Sequence, residues 1–164
     1  MGIIMQKDTR RSFLADAIVA GSAFGVLGVT GANAHPSAST GKRRVVGGSP
    51  YPTFSRAVEF NGLVYVAGVL GQKPGTRDLI STEFEPQARQ VLENLKASVE
   101  AAGSSFEKVL KCTCFLTDEN DFATFNKVYV EYFPKDPPAR STVIVKALVA
   151  LGAKVEVDCV ACMT

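Results

Sequence analysis

The chain predicts a single α+β domain in which two helices cover one face of a mixed sheet. Three observations lead there. Five apolar-alternating runs and two runs with helical spacing follow one another in the order β-β-α-β-α-β-β. Asn61-Gly62 stands between the first two alternating runs, and that pair is the strongest short hairpin signal, because both turn positions need positive φ. Gly103 and Pro134 punctuate the ends of the two helical runs.

The first two strands lie in SRAVEFNGLVYVAG, from about Arg56 to Gly68. A loop rich in Gly, Pro and charge follows from Gly71 to Ser81, and it fits either a pocket rim or a plain connection. Over 83–102, Ala88, Val91, Leu92, Leu95, Val99 and Ala102 recur at helical spacing, while Arg89, Glu93, Lys96 and Glu100 fall among the exposed positions. Thr82 and Glu85 have the spacing of a capping box. Phe106 to Thr117 alternates as a strand. A second helix over about 120–133 carries Phe122, Phe125, Val128, Tyr129 and Tyr132 on one side. Two helices leave the second sheet face bare, yet the strands carry apolar residues there too, so oligomerisation is expected.

The last two strands form the stretch PPARSTVIVKALVALGAKVEVDCVA, from Pro137 to Ala161. At a period of two, Arg140, Thr142 and Ile144 share one face of the first, and Glu156 and Asp158 point away from the apolar face of the second. Paired as an antiparallel hairpin about Ala150, they set Thr142 opposite Asp158 and Ile144 opposite Glu156, with Arg140 on the carboxylates' face. A cross-strand ion pair on a solvated face fits this pattern. So does a small-molecule site, since Arg holds a carboxylate bidentately and a Glu nearby holds a water.

Composition narrows the chemistry. The 164 residues carry a net charge of +2. Residues 1–34 contain Lys7, Arg10 and Arg11 against Asp8 and Asp16, so the remainder keeps 15 of 18 basic and 14 of 16 acidic side chains, no electrostatic case for nucleic acid. The one histidine, His35, precedes the expected domain, which leaves the core without a Ser-His-Asp, Cys-His or His-rich metal arrangement. The cysteines fall as Cys112-Thr113-Cys114 and Cys159-Val160-Ala161-Cys162. On strands, Cys159 and Cys162 face opposite ways, which strains a four-thiolate zinc site and favours buried thiols; a disulfide between the two strands stays open.

Residues 1–34 read as an export signal: Arg10-Arg11-Ser12-Phe13-Leu14, then an apolar Gly- and Ala-rich run from Ala17 to Gly31, then Ala32-Asn33-Ala34 as a cleavage site. The paired arginines resemble the twin-arginine signal, although Ala15 and Asp16 depart from its usual pattern. The run is short and glycine-rich for a membrane span. Cleavage near Ala34, a periplasmic or secreted location, no membrane contact for the mature chain, a flexible arm over 35–49 and a domain over 50–164 are the expectations.

The motifs resemble one family. PTFSRAVEFNGLVYVAG is similar to the G-P-Y-S-Q-A-V-x-x-G-N-L-V-Y-x-S-G of the Rid (YjgF-like) reactive intermediate deaminases, and PARS followed by VEVDCVA resembles their C-terminal signature. That resemblance implies a chorismate-mutase-like trimer of sheets around a central barrel, with sites in clefts between subunits. It implies hydrolysis of enamine or imine intermediates, such as 2-aminoacrylate-derived 2-imino acids, to 2-oxo acids and ammonia, without metal or organic cofactor. Arg140 matches the residue that holds the substrate carboxylate, and Glu156 the one that positions water. Gly68 and Asn126 match a pocket glycine and a helix asparagine, and Thr142, beside Arg140, joins the binding set. Phe54 stands where the family has tyrosine, Ala67 where it has serine and Val69 where it has glutamine, so the pocket is expected to be more apolar. The alternatives are a carboxylate-binding module without turnover and a chaperone-like or RNA-cleaving relative.

Overall fold

The computed structural model describes residues 41–46 and 52–163. The export signal expected over 1–34, and the arm apart from 41–46, lie outside these residues. Six strands form one sheet in the order β1-β2-β3-β6-β4-β5. They are β1 (Arg44–Val46), β2 (Ala57–Phe60), β3 (Leu63–Leu70), β4 (Val109–Leu116), β5 (Ala139–Ile144) and β6 (Val155–Cys162); the helices are α1 (Phe84–Ala101) and α2 (Phe122–Tyr132). The expected order is present, with β1 added inside the stretch read as an arm. Its Val45 pairs with Val58, and Arg44 forms an ion pair with Glu59 across the same two strands.

Asn61 and Gly62 have φ of 53° and 77°, as the tight turn joining β2 to β3 requires. α1 starts one residue later than expected and does so without the capping box. Glu83 is its N-cap and makes no side-chain cap bond, the Thr82 hydroxyl donates to the Glu83 side chain, and the Ser81 hydroxyl accepts from the Glu83 N–H. Gly103, at φ 85°, ends the helix in the left-handed region. Residues 106–108 form a 3-10 turn before β4, so the strand expected from Phe106 begins at Val109.

Every apolar residue expected on the inner face of α1 is buried, and it packs with Phe125, Val128 and Tyr129 of α2 and the inward side chains of β3, β4 and β6. Gln87 is the buried polar residue of this core among those described. Its amide donates to the carbonyls of Ser81 (2.9 Å) and Gly152 (3.1 Å) and accepts from the Lys154 N–H (2.9 Å), so it ties the loop before α1 and the β5–β6 loop to the helix.

The hairpin expected between the last two strands does not form. β4 lies between them, parallel to β5 and antiparallel to β6. Two alternating strands joined by a ten-residue segment do not reveal whether a third strand inserts between them. Here β4 does so because its Cys112, Cys114 and Leu116 continue the core face that Val155, Val157 and Cys159 begin.

Candidate active site

β4 has a consequence for every candidate residue, since residues paired across strands point to the same face. Cys112 pairs with both Arg140 and Cys159, and it is buried on the helix-covered face. Arg140 therefore projects toward α2. Glu156 pairs with Leu70 on β3 and Phe115 on β4, and with Asp158 it alternates against the buried Val155, Val157 and Cys159. Both carboxylates thus point to the uncovered face. The expectation that Arg140 shares their face is corrected: within one chain the clamp and the carboxylate lie on opposite sides of the sheet.

On the uncovered side, Glu156 is seated against Gly68. A Cβ on Gly68 would lie 2.0 Å from Glu156 Oε1, so a side chain there would occupy the carboxylate's place. β3 is irregular between Val66 and Val69, and this bulge, pinned by the Ala67 N–H donating to the Arg56 carbonyl (2.9 Å), presents Gly68 to Glu156. Desolvation holds the Glu156 carboxyl above the usual carboxylate range, and the like charge of Asp158 adds to it. Phe54, Ala67, Gly68 and Glu156 line a cleft of about 1120 Å³. Val149 of the β5–β6 loop also lines it, as do the cations Arg56, Lys73 and Arg77. The loop from Gly71 is thus part of a cleft wall. Val69 lines the cleft as well, yet it pairs with Val157 and packs against the core.

On the helix side, Arg140 Nη2 donates to Asn126 Oδ1 at 2.6 Å. Its guanidinium carbon lies 4.6 Å from the Tyr129 ring centre, 5.6 Å from that of Phe125 and 5.8 Å from that of Phe122. One amide acceptor and three α2 rings therefore orient the fork while leaving it donors for a ligand. Thr142 follows on the same face, paired with Cys114, and its hydroxyl is buried without a hydrogen-bond partner.

Cys112, Cys114 and Cys159 are buried on the core face and Cys162 lies on the other; all four are free thiols. Burial pushes the Cys114 thiol up to about 12 and raises Cys112 and Cys159 in the same direction, as expected for packing residues rather than nucleophiles. Among the described residues no group of three or more His, Cys, Asp or Glu is arranged to hold a metal, and no helix is long and apolar enough to cross a membrane.

The candidates thus fall into two groups, Phe54, Ala67, Gly68 and Glu156 in one and Arg140, Asn126 and Thr142 in the other. Val149 was missed, and its signal was the apolar run between Lys146 and Lys154. Sheet order, paired helices and a carboxylate over a glycine define a small α+β domain whose cleft carries a partly buried carboxylate among cations. More narrowly, the chain belongs to the Rid/YjgF/RutC family, whose profile, described as endoribonuclease L-PSP, matches residues 48–163. It is 42% identical over 129 residues to Reactive Intermediate Deaminase A, chloroplastic, of Arabidopsis thaliana, an alignment covering 76% of this chain and 68% of that protein. The structure of RidA from Psychrobacter sp. PAMC 21119 superposes with a TM-score of 0.68 at 38% identity, covering 73% of this chain and 99% of that one. E. coli TdcF with bound serine gives 0.64 at 35% identity, covering 73% and 94%. The family expected from the motifs is the one found, and it includes reactive intermediate deaminases.

Proposed function

We propose that the protein hydrolyses 2-imino acids to 2-oxo acids and ammonia, in clefts completed between the subunits of a homotrimer. The observation that carries this reading is the seat of Glu156 against Gly68: a partly desolvated carboxylate held at a cleft, with its charged form disfavoured and so poised to accept a proton. Relatives named reactive intermediate deaminase, and one whose structure holds an amino acid, support the reaction class and ligand size.

In the proposed site, Arg140 of one subunit holds the substrate carboxylate and a neighbour's Glu156 holds the water. The imine carbon is already electrophilic. Water adds to it as Glu156 takes the water's proton, giving a carbinolamine. That proton passes to nitrogen, the carbinol hydroxyl's proton follows it there through Glu156, and the C–N bond breaks so that ammonia leaves as the C=O bond forms. No metal or organic cofactor enters the scheme. The uncovered face supports assembly: Tyr65 and Val143 are 46% and 44% exposed there, where no helix covers them. Export remains part of the proposal, with 1–34 as its signal; mass spectrometry of the N-terminus of the protein recovered from the producing cells would give a start near His35.

A second reading, a carboxylate-binding module without turnover, draws on Phe54 and Ala67, which bring no hydrogen-bonding side chain to the cleft. An amino-acid oxidase that generates imines in situ separates the two. Faster 2-oxo acid release with the wild type, but not with Arg140→Ala or Glu156→Gln, is the expected result; wild type at the uncatalysed rate would overturn the enzyme reading.

A further inference from the structure

We propose that Phe54, Ala67 and Val149 form a subsite for an apolar substrate side chain, so that the preferred substrates are 2-imino acids with long aliphatic or aromatic side chains. This rests on the deaminase reading and names its substrate class.

Val149 is 96% exposed, and an aliphatic residue so fully in water has apolar area that only another surface or a ligand can cover. It is not on a stray loop tip. Gln87 accepts from the Lys154 N–H and donates to the Gly152 carbonyl, the Ala153 N–H donates to the Ala150 carbonyl, and the Val145 N–H donates to the Leu116 carbonyl. These bonds fix both ends of the segment that carries Val149 beside the cleft. Phe54, 48% exposed, lines the same cleft, with Ala67 next to the glycine that seats Glu156.

A side chain on the imine carbon must leave that carbon within reach of the water on Glu156. Phe54, Ala67 and Val149 offer it a ring, a methyl group and an isopropyl group. None can hydrogen-bond a hydroxyl or amide, so polar side chains would be desolvated without compensation. The cations of the cleft favour a rival, an acidic side chain. Most of the residues lining the cleft are nevertheless apolar, and Arg77 has interactions of its own.

The test compares imines generated from leucine, phenylalanine, alanine and glutamate. The expected kcat/KM for the first two exceeds that for the alanine-derived imine by about tenfold or more, the discrimination an apolar pocket gives. Val149→Ser, at an exposed position that leaves the core untouched, should shrink the leucine-to-alanine ratio severalfold. Preference for the alanine- or glutamate-derived imine, or an unchanged ratio in Val149→Ser, would overturn the subsite. If no imine is turned over, the deaminase reading fails separately. Calorimetry then decides the subsite alone: tighter binding of 4-methyl-2-oxopentanoate than of pyruvate keeps it, and equal or reversed binding removes it.

Discussion

Arg140→Ala and Glu156→Gln, each inactive alone, should restore activity when mixed. Arg140 pairs with Cys112, Cys112 pairs with Cys159, and Glu156 lies three residues along β6 from Cys159. Two strand spacings place the backbones about 10 Å apart across the sheet, and three residues add about 10 Å along it. The side chains then point to opposite faces, whereas a single imino acid must touch the clamp and the water within hydrogen-bond distance of each. No rotamer change within one chain brings the two groups to one substrate. Loss of the clamp should cost about thirtyfold or more, from a charged contact worth about 2–5 kcal/mol, and loss of the water-holding carboxylate about 10²–10⁴-fold. In a closed ring with a head-to-tail interface, an equimolar random mixture gives an intact pair at about one quarter of the sites. Co-expressed, purified mixed oligomers should therefore recover about a quarter of wild-type activity in the oxidase-coupled assay. Activity equal to the mean of the two parents would refute the divided site.

Two further outcomes follow from single groups. Glu156 must be ionised to take a proton, and burial and Asp158 raise its pKa, so the acidic limb of the rate profile should lie above the ordinary 4.5 of a glutamate and move down in Asp158→Asn. Because folding raises this pKa, the folded chain keeps a proton that the unfolded chain has lost; stability from this group falls as pH rises through the window above 4.5, and Glu156→Gln should stabilise the protein at neutral pH, as thermal melts at several pH values would register. Gln87→Leu leaves the Ser81 and Gly152 carbonyls and the Lys154 N–H without their partner, a loss of about 2–4 kcal/mol in denaturant unfolding that also loosens the Val149 loop.

Periodicity located both helices and five of the strands, because a core face repeats every 3.6 or two residues and needs no knowledge of neighbours. Asn61-Gly62 was legible for a local reason, the left-handed φ at both positions. What failed was long-range. The hairpin between the last strands was the shortest closure, but β4 brought more inward apolar surface and took the middle place. β1 has too few residues for a period, and its pairing with β2 is set by the sheet edge rather than by its own sequence. The capping box failed because Ser81, one residue earlier, supplied the acceptor at Glu83 instead. In the candidate site, residue types were legible and faces were not. Alternation assigned Arg140 and Thr142 to one face correctly, but relating that face to Glu156 required knowing which strand lay between.

The misplaced face bears on why such a chain would assemble at all. A carboxylate beside an arginine on one face would have formed an ion pair, lowering the carboxylate's pKa and blunting it as a proton acceptor. With the sheet between them, Glu156 has Asp158 as its charged neighbour and keeps a raised pKa, while Arg140 rests on an amide oxygen and three rings with no carboxylate paired to it among the described residues. Each half is thus left unneutralised in the chain that carries it. In the proposed trimer the substrate supplies what both lack, a carboxylate for the arginine and an electrophilic carbon for the water on the glutamate. The same separation that defeats the one-chain site therefore keeps its two halves reactive until an imino acid joins them.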